Sequence, residues 1–149
     1  VTHPAVISSS FGRGFWSRFA WTGTRDPSAW LSIGTALDFW SGVGEKAGRE
    51  YMCGLADWAG EQLVSDWRTE RGATSDMTGA MTTVRLPQNP TLKAAGPEML
   101  HDWLLRVHKI EVPIFVLGDS LWLRISTHLY NDESDVLRLS RALLKYDGS

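Results

Sequence analysis

The chain has 149 residues, 43% of them hydrophobic and 21% charged, the balance of an ordinary globular protein long enough to bury a core. Its net charge of −2, with lysines and arginines dispersed, excludes the basic footprint of a nucleic-acid or anionic-membrane binder. No apolar run nears the roughly 20 residues that span a bilayer, and the lone Cys53 can form no internal disulfide, so a reducing cytoplasm is the expected setting.

The chain opens Val1-Thr2-His3-Pro4, with neither an initiator Met nor a basic-then-apolar leader, and reads as a piece of something longer. A stretch rich in glycine, aromatics and arginine, Phe11 to Phe19, leads into Trp21-Thr22-Gly23-Thr24-Arg25-Asp26. Asp26-Pro27 then supplies an N-cap and a first-turn proline, and Trp30, Ile33, Leu37 and Trp40 recur at helical spacing, which predicts a helix over Pro27 to Ser41. Gly42-Val43-Gly44 breaks it, and a domain boundary is expected near Gly44. From Lys46 to Arg68 the residues Tyr51, Leu55, Trp58, Gln62, Leu63 and Trp67 form one helical stripe, long enough to bridge two layers or domains. Met81 to Leu86 reads as a strand, Pro87 to Gly96 as a loop, and Pro97 opens a short helix with Leu100, Trp103, Leu104 and Val107 on one face. The period then changes to two. Val112 to Leu117 and Leu121 to Thr127 flank Gly118-Asp119-Ser120 as an antiparallel hairpin, and Asn131-Asp132 caps a last helix with Val136, Leu139 and Leu143 inward. The order from Lys46 onward suits an α/β (α+β) domain, a small antiparallel or mixed sheet covered by helices on one face.

Strand alternation turns Leu121, Leu123, Ile125 and Thr127 one way, and Trp122, Arg124 and Ser126 the other. An arginine between apolar strand residues needs a partner: either a helix carboxylate in a structural ion pair, or a carboxylate or phosphate brought by a ligand. Thr22-Gly23-Thr24 before a helix offers hydroxyls and flexible backbone to a phosphate, although the same residues serve equally as a helix cap.

Four stretches in order carry a resemblance over nearly the whole chain. They are Pro4-Ala5-Val6-Ile7-Ser8, Phe19 to Ala29 with Trp21-Thr22-Gly23-Thr24-Arg25-Asp26-Pro27 at its centre, Glu111-Val112-Pro113, and Leu123-Arg124-Ile125-Ser126 with Tyr130-Asn131. Together they resemble the isopenicillin N epimerase-like branch of the class V aminotransferases. The resemblance implies the C-terminal part of a fold type I pyridoxal-phosphate-dependent transferase. Residues 1–44 would end the large cofactor domain and 45–149 would form the small domain. Thr24, beside Gly23, would bind the cofactor phosphate, usually across a homodimer boundary, and Arg124 would bind the α-carboxylate of an amino-acid or amine substrate.

The chain departs from that family in lacking the Schiff-base lysine, which lies upstream of the Pro4 stretch in the relatives. The pair His108-Lys109 falls between a helix and a strand of the small domain, and Lys46, Lys93 and Lys145 fit no better, so the chain alone is expected to be inactive. Cys53, in the middle of a helix far upstream of Arg124, does not fit a desulfurase nucleophile. His101, His108 and His128 lack metal-ligand spacing, and the tryptophans read as core or interface packing. The expected activity is epimerase, C–S lyase or aminotransferase chemistry in the intact protein. The rival is a non-catalytic α+β binding or dimerisation module.

Overall fold

The computed structural model describes residues 2–7, 12–20 and 23–148. Ser8, Phe11, Trp21 and Thr22, which belong to the stretches above, lie outside the described residues. The chain divides into two compact units, Val1–Gly42 and Val43–Ser149.

In the first unit, helix α1 spans Phe15–Ala20, within the stretch rich in glycine, aromatics and arginine, and the Phe15 and Phe19 rings meet one turn apart at 4.8 Å. The helix expected over Pro27 to Ser41 is two, α2 (Ser28–Leu31) and α3 (Ile33–Val43), parted at Ser32. The Ser32 hydroxyl donates to the Ala29 carbonyl at 3.0 Å, the backbone competition that makes serine a poor mid-helix residue. No described residue of this unit is buried; Trp16 is 83% exposed and Trp30 78%, so of the expected core or interface packing neither supplies core within this chain.

The second unit holds the core. Helix α4 (Glu45–Trp67) buries Leu55, Ala59, Leu63 and Trp67, one stripe at spacings of four, before Arg68 ends it in the left-handed conformation. Strands β1 (Met81–Arg85), β2 (Ile114–Leu117) and β3 (Ser120–Ser126) form an antiparallel sheet in the order β1-β3-β2. Register pairs Thr82 with Ile125 and Val84 with Leu123, so these four share the face that packs on the helices, and all are buried. Burying one such leucine or valine contributes about 1.5–3 kcal/mol. Residues 70–72 shield the free edge of β1: Arg85 N–H donates to the Glu70 carbonyl at 3.0 Å and Gly72 N–H to that of Thr83 at 2.8 Å.

Two boundaries shift from expectation. Helix α5 runs from Pro90 to His108, so most of the expected Pro87–Gly96 loop is helical. Asn89 caps it by accepting from Thr91 N–H at 2.8 Å, and the expected start at Pro97 survives as a kink, with Gly96 at φ 73°. Leu100 and Leu104 are buried as expected, but Val107 is exposed. The hairpin turn is two residues, because Ser120 already pairs with Leu117, and Gly118 takes φ 61° at its first position. Helix α6 (Glu133–Leu144) is capped by Asp132, which accepts from Ser134 N–H at 2.8 Å, and buries Val136, Leu139 and Leu143.

Candidate functional site

Arg124 sits on the central strand with buried Leu123 and Ile125 on either side, and its own side chain is exposed. The period of two causes this: the residues that fill the core force their neighbours outward. Thr83 faces it across β1, and its backbone N–H donates to the Pro113 carbonyl at 3.2 Å, which extends the hairpin towards α5. Arg124 is one of the residues that line a cleft of about 410 Å³, walled by Lys109–Pro113, the end of β3, Tyr130, Asn131 and the start of α6.

The carboxylates of this cleft have other partners. Glu111 lies 2.8 Å from Nε2 of His101, and Asp135 is 3.5 Å from Arg138 and accepts from Asn131 Nδ2 at 3.1 Å. The Glu111 hydrogen bond pushes the His101 pKa above its ordinary value, against partial desolvation that lowers it. Arg124 enters no ion pair among the described residues. Among the described residues, then, no helix carboxylate partners Arg124, and its exposed planar fork of donors is available to other acceptors.

Gly23 and Thr24 belong to the first unit. Gly23 adopts φ 109°, a conformation that favours glycine, and an added Cβ would meet nothing within 4 Å, so the constraint is on the backbone alone. Capping of α2 falls to Asp26, whose Oδ1 accepts from Ser28 N–H at 2.9 Å and from the Ser28 hydroxyl. Those two bonds, the hydroxyl's first, hold the Asp26 carboxyl below the usual carboxylate range. The exposed Thr24 hydroxyl makes no hydrogen bond among the described residues. Its donor is therefore available to an acceptor such as a phosphate oxygen.

Lys46, Lys93, Lys109 and Lys145 are all exposed, so none occupies the desolvated pocket that a cofactor-bearing lysine needs. Cys53 is a half-buried free thiol within α4. His101 is taken by Glu111, and the His108 ring meets the Trp103 ring edge-on at 4.4 Å. Among the described residues, no helix is long and apolar enough to cross a membrane. Sequence reading missed that Lys109, Glu111, Tyr130, Asp135 and Arg138 line one cleft with Arg124, because the six come from four segments and no local spacing links them.

The second unit is thus an α/β domain whose small antiparallel sheet and helices border a cleft lined in part by Arg124. No family model matches the chain. It is similar to the isopenicillin N epimerase of Amycolatopsis lactamdurans, 41% identical over 81% of this chain and 30% of the relative. It is also similar to two Arabidopsis thaliana proteins. One is the L-cysteine desulfhydrase, 32% identical over 96% of this chain and 35% of that protein. The other is the probable chloroplastic L-cysteine desulfhydrase, 30% identical over 95% and 32% respectively. The chain spans about a third of the length of these curated relatives. Relatives with these names, matching most or nearly all of this chain, fit the C-terminal part of a class V aminotransferase-like, pyridoxal-phosphate-type enzyme.

Proposed function

We propose that this chain is the substrate-gripping part of a longer, dimeric pyridoxal-phosphate-dependent enzyme that breaks a bond at the α-carbon of an amino acid, by epimerisation or C–S lysis. Residues 1–44 would end the cofactor domain and 45–149 would form the small domain, a reading that the division into two compact units supports. The observation that carries the proposal is Arg124, an exposed arginine that its strand holds beside a cleft and that pairs with no carboxylate among the described residues. There it would clamp the α-carboxylate through two parallel N–H···O bonds and so fix which α-carbon bond stands in the breaking orientation. Gly23 and Thr24 would hold the cofactor phosphate, Thr24 from its exposed hydroxyl and Gly23 by letting the backbone approach. When bound, the cofactor supplies the electron sink for charge that develops at the α-carbon.

With its four lysines exposed, the chain by itself would attach no cofactor and would be inactive. Aminotransferase activity is a further possible outcome of the same site, and which bond breaks would depend on residues of the intact enzyme. The unpaired Cys53 is compatible with a reducing, cytoplasmic setting, and one relative carries "chloroplastic" in its name. The test is protein expressed from the complete coding sequence. It should absorb in the visible from bound cofactor while the 149-residue chain does not. Complete-length protein that takes up no cofactor would overturn the reading.

A further inference from the structure

A strand carries backbone donors and acceptors along both edges, and those that no neighbour takes are open to another strand. The central β3 is paired on both sides. The outer edge of β1 is closed by residues 70–72, through the Arg85–Glu70 and Gly72–Thr83 bonds and a bridge between Arg71 and Val84. The outer edge of β2 is different. The Pro113 carbonyl takes the Arg124 N–H, and antiparallel pairing alternates along a strand. The backbone groups of Phe115 and Leu117 therefore turn towards β3, and those of Ile114 and Val116 turn away. Among the described residues nothing bonds the backbone N–H and C=O groups of Ile114 and Val116.

Proteins ordinarily guard such an edge with a lysine, a proline or a bulge. Ile114-Phe115-Val116-Leu117 has no charge and no proline, and it pairs residue for residue with β3, without a bulge. Its end is apolar on both faces, because Val116 is 60% exposed and Leu117, of opposite parity, 59%. What fits it is another extended, uncharged backbone edge. The described residues offer one edge of that kind, that of β2 itself, since β1 and β3 are already satisfied on both sides. One β2 cannot pair with itself, but two copies can pair antiparallel about a two-fold axis, and no charge within the strand opposes the approach. We infer that the β2 edge is a self-association surface, which joins the three-stranded sheets of two copies of this chain into one. The contact does not depend on the readings of Arg124 or Thr24.

Four residues of edge bury far less than the roughly 1,200 Å² of a stable interface, so the association is weak, with a dissociation constant on the order of 0.1 mM. Sedimentation equilibrium of the 149-residue chain should show monomer and dimer exchanging across that range. Amide exchange should find Ile114 and Val116 fast in the monomer and slowed as the dimer forms, while Phe115 and Leu117, turned towards β3, stay slow throughout. Val116→Lys, at an exposed side chain, should raise the dissociation constant roughly tenfold or more. Val116→Pro should do the same, since it removes an outward N–H that the fold does not use. Met77→Lys, at another exposed apolar side chain ahead of β1, should leave association unchanged. A chain that stays monomeric at about millimolar concentration overturns the inference. So does a dimer that survives both Val116 substitutions, or one that Met77→Lys weakens equally, because its contact then lies elsewhere or is nonspecific. Ile114 and Val116 amides already slow in the monomer would show that another segment of the same chain covers the edge, and would overturn it as well.

Discussion

At the scale of single residues, the outward direction of Arg124 was legible because strand parity is strict: once Leu123 and Ile125 fill the core, residue 124 must leave it. Its freedom from any carboxylate was not legible, since Glu111 and Asp135 are claimed by His101, Asn131 and Arg138 through contacts between segments. Thr24 was ambiguous between cap and ligand in the sequence, and Asp26 resolves the cap by bonding Ser28 itself. If Thr24 binds the cofactor phosphate, Thr24→Ala in the complete protein should lose a hydrogen bond to a charged group, about 1.5–3 kcal/mol. A titration should show the cofactor dissociation constant raised roughly ten- to hundredfold. An unchanged constant would contradict the assignment. His101 makes a separate prediction through pH. Its folded-state pKa is raised by Glu111, so the pair's stabilisation is complete below the unfolded histidine value, near pH 6.5, and is lost as pH rises through the folded value. Denaturant midpoints of wild type and His101→Gln should therefore differ most at about pH 6 and converge on the alkaline side. A gap that does not change with pH would show that the pair carries no proton-linked stability.

At the scale of elements, the long periodic helix and the hairpin were readable from their periods of 3.6 and two, because each buries one continuous face. The start of α5 was not, since Pro97 looks like a first-turn proline while the true cap is Asn89, followed by Pro90. The contact between α4 and β1 carries a sharper prediction. Gly60 lies mid-helix, where alanine would ordinarily stabilise by about 1 kcal/mol. A Cβ there would lie 2.9 Å from both Arg71 Nε and Thr82 Oγ1. Neither can easily retreat: Arg71 is mostly buried and bonded to Asp57 at 2.6 Å, and Thr82 is buried. Overpacking of this kind costs about 1–3 kcal/mol, so the clash should outweigh the helix gain and Gly60→Ala should lower the denaturation midpoint. A raised midpoint would mean that the Arg71–Asp57 pair shifts at little cost.

At the scale of the whole molecule, the second unit is legible because it contains its own core, and the first is not because its apolar side chains find no burial among the described residues. Periodicity in α2 and α3 could identify helices there, but periodicity says nothing about what covers them. The central claim is that the domain exists to hold a substrate carboxylate with Arg124, in a protein about three times this length if it matches its relatives. It is tested most directly by measuring the Michaelis constant for the amino acid and the melting temperature together on Arg124→Lys in the complete enzyme. Lysine keeps the charge but loses the planar fork. The account predicts a clearly raised Michaelis constant with the melting temperature close to wild type, because the exposed Arg124 makes no ion pair among the described residues. A normal Michaelis constant with a lowered melting temperature would contradict it.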